Sequence, residues 1–167
     1  MIAPEQEAVR LRALDLCRVL DTPPECDFDR LVFTASQALR APIATIAFVD
    51  ATRAWYKARV GTHISAIPRG ESFAAVVVEV GRLTIFEDAT NNVRHWHHPL
   101  VRREPRVRFY AGMPLFGPSA QPVGAFGVMD RRPRSLPPEQ QRLLVMLARE
   151  ADALLLKRIG PAERPPA

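Results

Sequence analysis

Cysteine is scarce here. Cys17 and Cys26 are the only two, close together near the N-terminus. They are too few for a metal quartet or a disulfide framework, which fits a reducing cytoplasm. No stretch approaches the roughly 18 consecutive apolar residues of a membrane span. The charged start MIAPEQEAVRLR lacks an apolar signal core, so neither membrane insertion nor export is expected. The sequence also lacks GxxxxGKS/T and GxGxxG loops and the HExxH and GxSxG signatures. Ser36, Ser65, Ser72, Ser119 and Ser135 have no nearby base to make a nucleophile. Asp27 and Asp29 fall at a helix start, where capping and the helix dipole account for them better than paired catalysis does. A non-catalytic protein is expected.

What is present suits one soluble domain. A chain of 167 residues, 47% hydrophobic and 25% charged, is long enough for one proper core and short for two. The net charge is +5, almost all of the positive charge being arginine. Clusters occur at Arg102, Arg103, Arg106 and Arg108 and at Arg131, Arg132 and Arg134, but the rest is spread along the chain. No basic strand is interleaved with aromatics, so the arginines read as solvated surface and a nucleic-acid partner is not expected.

Periodicity predicts a helix over 5–20, with Ala8, Leu11 and Leu14 on one stripe and arginines outside. The Asp21-Thr22-Pro23-Pro24 run ends it, because proline lacks a donor and constrains its predecessor. A second helix is predicted over 27–40 through Phe28, Leu31, Val32, Ala35 and Leu39. The runs IATIAFVD (43–50) and PVGAFGVMD (122–130) are apolar on both faces, as strands covered on both sides must be. Val123, Ala125 and Met129 are assigned to one face of the second run, Phe126 and Val128 to the other. A more polar strand, 54–60, would pair antiparallel with the first across Ala51-Thr52-Arg53; on it Trp55 would pack on the sheet while Lys57 snorkels to solvent. In 106–116, Val107, Phe109, Ala111, Met113 and Leu115 share one face by the two-residue period, opposite Arg106, Arg108 and Tyr110. A closing helix over 137–158 carries a wide stripe of Leu143, Leu144, Leu147, Ala151, Leu154 and Leu155. These elements imply an α+β or three-layer domain over 1–159, followed by a disordered tail, 160–167.

Three of the four histidines, His95, His97 and His98, surround Trp96 in NNVRHWHHPLV. On a helix His95 and His98 would meet, and on a strand His95 and His97 would. Either geometry offers two imidazoles, short of a zinc set unless His63, Glu87 or Asp88 joins them. Lining of a pocket or of the surface is the better reading, and no metal is assigned.

The runs LDTPPECDFDRLVFTASQALRAPIATIAFVDATRAWYKARVG, PRGESFAAV, HPLVRREPRVRFYAGMPL and VGAFGVMDRRPRSL, in that order over about 8–157, resemble a GAF domain. More narrowly, they are similar to the N-terminal GAF sensors of bacterial histidine kinases and diguanylate cyclases. The resemblance implies a central antiparallel sheet of five or six strands, with the terminal helices and the second helix on one face. A ligand pocket would lie on the other, covered by 72–79 and 91–102. It implies a cytoplasmic bacterial signalling module that binds a small molecule of unknown identity in a pocket of Ser72, Phe73, Asp88, His95, Trp96, His97, His98, Arg108 and Tyr110. Arg108 would pair with an anionic ligand or with Asp88, which would mark the pocket mouth or simply form a turn. A homodimer through the first and last helices is expected, with a separate kinase or cyclase effector or a longer parent chain. A ligand-free interaction module, its pocket filled by Phe73 and Trp96, is the alternative. Relatives often read SFCAHAI where Ala74 and Val76 stand here, so thiol chemistry is not available at that point. Free methionine sulfoxide reductases share the fold but need pocket cysteines, and Cys17 and Cys26 lie in another part of the chain. The NKFDE pattern of cyclic-nucleotide domains and the tetrapyrrole cysteine are also missing.

Overall fold

Residues 43–49 have apolar side chains on both faces, and all seven are buried. That requires a central strand covered on both sides. The computed structural model, which describes residues 1–163 apart from Val93, Arg94 and Trp96, provides it. Six strands, β1 (Ile43–Val49), β2 (Arg53–Val60), β3 (Ala66–Pro68), β4 (Thr84–Phe86), β5 (Phe109–Phe116) and β6 (Pro122–Asp130), form one sheet in the order β3-β2-β1-β6-β5-β4. Every pairing is antiparallel, the expected β1–β2 hairpin included.

The helices α1 (Pro4–Cys17), α2 (Cys26–Ala38) and α5 (Pro138–Lys157) cover one face of the sheet. Their apolar sides meet Ala44, Ile46 and Phe48 of β1 in a core that also holds Phe28, Val32, Phe109, Phe126, Leu144 and Leu155. The opposite parity of β1, Ile43, Ala47 and Val49, belongs to a second core with Tyr56, Phe73, Val77, Tyr110 and Met129. Over this face lies α3 (Phe73–Val80), then the short α4 (Pro99–Arg102). Fully burying each large apolar side chain contributes roughly 1.5–3 kcal/mol, so both layers matter to stability.

Several details differ from the pattern reading, each for a local reason. The first helix stops at Cys17 because Arg18 turns left-handed (φ 47°) and returns its N–H to Asp15. Arg10, expected outside, is buried at 1% exposure while Ala8 is exposed. Its guanidinium grips Glu7 with Nε at 2.9 Å and Nη2 at 2.7 Å, and Nη1 reaches the Val49 carbonyl at 2.7 Å. Charge pairing and a backbone acceptor make that burial tolerable. Lys57 does not snorkel. The β1–β2 register shifts between Ile46 and Ala47, so Lys57 is the extra residue of a bulge and turns into the helical layer. There Nζ donates to Thr22 Oγ1 and the Pro23 carbonyl, both at 2.7 Å, and pairs with Glu25. Glu25 also pairs with Arg158 at the end of α5, so the linker before α2 ties the sheet to the last helix. A second register shift near Leu115 lets Val123 join the helical core instead of sharing a face with Ala125. Val107 precedes β5, where its N–H is held by the Leu100 carbonyl at 2.7 Å instead of a neighbouring strand, and it joins the second core.

The expected disordered tail lies partly outside the described residues. Within them Pro161–Glu163 form a 3-10 turn, and Glu163 pairs with Arg18 at 2.9 Å.

Candidate functional site

Ser72 begins the site. Its hydroxyl accepts the Ala75 N–H at 3.4 Å and caps α3, which holds the buried Phe73 ring over the sheet. Gly81, left-handed at φ 72°, closes α3 with its N–H on Val77. Below Phe73, Gly112 of β5 and Gly127 of β6 are direct cross-strand partners. Lacking side chains, they leave a bare patch of sheet on which the Tyr110 ring lies. A Cβ on Gly112 would come within 2.4 Å of the Tyr110 hydroxyl, and one on Gly127 within 3.0 Å of its ring. Phe86, opposite Tyr110 in the β4–β5 register, forms the next wall.

The cover segment adds two imidazoles. His98 stacks on Phe73 with ring centres 4.1 Å apart and planes within 10°. Phe73 also touches Tyr110 at 4.9 Å and Phe86 at 5.7 Å. His95 lies 4.5 Å from Phe86 and 6.3 Å from His98. His98 Nδ1 accepts the Leu100 N–H at 3.2 Å, so a neutral ring carries its proton on Nε2. That Nε2 is buried with no hydrogen-bond partner among the described residues. Burial, and secondarily the nearby His95, lowers the His98 pKa to about 4, so the ring is neutral at pH 7. Burial likewise pushes the Tyr110 phenol well above its usual range, keeping it protonated.

The fold therefore gathers Phe73, His95, His98 and Tyr110, with Ser72 as the cap beneath them. Of the other residues in the sequence-derived set, Asp88 takes its turn-forming alternative, and Arg108 supports backbone carbonyls. The Asp88 carboxylate accepts from the Thr90 N–H at 3.0 Å and hydroxyl at 2.6 Å, forming the turn at 89–91. Arg108 directs Nη1 at the carbonyls of Val101 (2.9 Å) and Val107 (3.1 Å), which organises the return from α4 to β5. His97 is exposed, and Trp96 lies outside the described residues. Phe86 and the glycine pair were missed, because only the pairing of β4, β5 and β6 brings them together. The alternation of LTIFED was the one available hint.

Among the described residues no three His, Cys, Asp or Glu side chains converge where they could hold a metal ion. Cys17 is buried among the helices, its thiol pushed up to about 11 by burial, and Cys26 is exposed at the start of α2. Neither adjoins the aromatic cluster. Several depressions lie elsewhere. A groove of about 410 Å³ runs between α2 and α5, and a cleft of about 480 Å³ opens between the turn at 61–64 and residues 104–105.

A six-stranded antiparallel sheet with helices on one face and a covered aromatic site on the other defines an α+β domain. A family model described as GAF domain matches residues 28–155, and the chain belongs to the GAF domain family. It is 35% identical over 158 residues to a cyclic di-GMP phosphodiesterase of Pseudomonas aeruginosa (strain PAO1), covering 93% of this chain and 26% of that relative. The chain thus spans about a quarter of that relative's length. Its fold is similar to the GAF domain of a phosphoenolpyruvate-protein phosphotransferase from Coxiella burnetii, with TM-score 0.67 and 18% identity over 90% of this chain and 93% of that one. A type II free methionine-R-sulfoxide reductase from Thermoplasma acidophilum shares it too, with TM-score 0.66 and 12% identity over 88% and 97%. No helix of the described residues is long and apolar enough to cross a membrane.

Proposed function

We propose that this domain is a non-catalytic sensor that binds a small molecule at the Phe73–His98–Tyr110 cluster and signals through its terminal helices. The observation that carries the reading is His98 Nε2. A buried donor with no acceptor costs about 1–3 kcal/mol, and a ligand offering an acceptor recovers that cost. Stacked aromatic rings and a neutral imidazole favour a flat, uncharged portion of such a ligand. Arg158 pairs with Glu25, which also holds Lys57 of β2, and this linkage gives a physical route from the sheet to α5. The output belongs to a kinase, a cyclase or, following the relative's name, a phosphodiesterase, on another protein or elsewhere in a longer chain. A reductase-type activity is disfavoured because the two cysteines lie away from the cluster.

A thermal-shift screen with cyclic nucleotides, haem, metal ions and amino-acid metabolites tests this. Ligand at a hundredfold excess over Kd adds about 2.7 kcal/mol, a rise of several degrees for a domain of this size. One class is expected to raise the melting temperature of the wild type and not of His98→Phe. An equal shift in both proteins would place the ligand elsewhere. No shift from any class, together with a stable dimer in light scattering, favours the second reading, a ligand-free interaction module. The self-filled aromatic cluster and the α2–α5 groove support that reading.

A further inference from the structure

Arg131, just after β6, lines the cleft of about 480 Å³ together with Gly61, Thr62, His63, Ile64, Glu104 and Pro105. Arg103 and Arg106, which flank Glu104 and Pro105 in sequence, are exposed, as is Arg131. The one carboxylate at the mouth, Glu104, already lies 3.9 Å from Arg106. Arg131 makes no ion pair among the described residues. A guanidinium group at a concave mouth attracts and orients a carboxylate or phosphate.

The floor of the cleft has the opposite character. Thr62, Ile64 and Pro105 also line a small space of about 10 Å³, whose other walls are Ile43, Tyr56, Leu100 and Met129. That space is about the size of one water, but its walls are mainly apolar, so a terminal methyl group suits it better. The turn forming one lip is held at both ends. Gly61 stands at φ 78° with Pro42 O only 1.9 Å from where a Cβ would be, and the Ser65 carbonyl accepts the Tyr56 N–H at 2.9 Å. Ile64 N–H donates to Thr62 Oγ1 at 3.2 Å within the turn. A fixed lip, an apolar throat and an uncompensated cation at the rim form a site that exists before anything binds.

We infer that this cleft is a second binding site, separate from the His98 cluster, for a small amphipathic anion. Its carboxylate or phosphate head lies against Arg131, and its short apolar tail points between Ile64 and Pro105. The site uses no residue of the aromatic cluster, so the two assignments stand or fall separately.

Amide NMR titrations with hexanoate, 1-hexanol and hexylammonium at constant ionic strength test this. Hexanoate is expected to give saturable shifts at Thr62, His63, Ile64, Glu104 and Arg131, and to bind about fivefold more tightly than hexanol, as one exposed charge contact allows. Arg131→Glu removes that preference, and Ile64→Trp blocks the throat and weakens hexanoate and hexanol alike. His98→Phe leaves hexanoate binding unchanged. Equal binding of all three probes, shifts centred on Phe73, His95 and His98, or no saturation by about 20 mM would overturn the assignment. So would binding to anionic vesicles without saturable hexanoate binding, which indicates a lipid surface instead.

Discussion

At the scale of single residues, the candidate site depends as much on what two glycines omit as on what the rings supply. Tyr110 lies flat only because Gly112 and Gly127 have no Cβ beneath it. Gly112→Ala is expected to cost about 1–3 kcal/mol, since a methyl group would press on Tyr110 and on the Val77 side chain. In a Tyr110→Phe background the cost falls, because the nearest clashing atom is gone, and a double-mutant cycle in urea measures the coupling. Additive effects would show that the glycine pair does not set the ring's position. The same scale shows why Lys57 escaped the pattern reading. Strand alternation assigns a lysine to solvent, whereas a single bulge turned this one onto Thr22, Pro23 and Glu25.

At the scale of elements, the cover segment and α5 carry opposite responses to acid. His98, near 6.5 when unfolded, sits at about 4 in the fold because burial disfavours its charge. Between those values the unfolded chain binds more protons, so this contribution is complete above about 6.5 and is lost as pH falls toward 4. Asp152 accepts the Phe116 N–H at 2.9 Å and pairs with Arg149 at 2.6 Å, docking α5 on β5. Burial nevertheless raises its pKa from 3.8 to about 6. The folded chain then binds the extra proton, and that contribution is present below 3.8 and lost as pH rises through about 6. Glu7, lowered to about 2 chiefly by its hydrogen bonds from Arg10, adds a loss only below its unfolded value of 4.5. Urea unfolding from pH 7.5 to 4.5 should therefore show wild type losing stability relative to His98→Phe toward acid. Asp152→Asn should gain on wild type as pH rises over the same range. Difference curves that stay flat with pH would refute both assignments.

At the scale of the whole molecule, the two faces of the sheet divide the work. The helical face presents the α2–α5 groove, lined by Leu31, Leu147 and Leu154 with Arg30, Lys157, Asp27 and Glu150 at its sides. Charges of both signs on one surface suit a two-fold pairing in which each copy meets its own complement. Phe33 and Met146, on the same two helices, remain 57% and 59% exposed. Light scattering is expected to give twice the 18.7 kDa chain mass, and Phe33→Glu with Met146→Glu to restore the monomer. A monomeric wild type at micromolar concentration would remove the dimer from the proposal.

Much of this architecture was legible in the sequence. Local periodicity marked α2, β1, β2, β6 and α5, because burial on one or both faces constrains neighbouring side chains directly. The ordered motifs identified the family, and with it the sheet, the helical face and the covered face. Tertiary structure alone decided where the arginines and histidines work. Arg10 became a buried clamp and Arg108 a support for backbone carbonyls. His98 moved onto Phe73, with its far nitrogen lacking an acceptor among the described residues. The reason is physical: a polar side chain takes its role from partners distant in sequence, and only β-sheet register, bulges and the path of the cover segment determine which partners it meets.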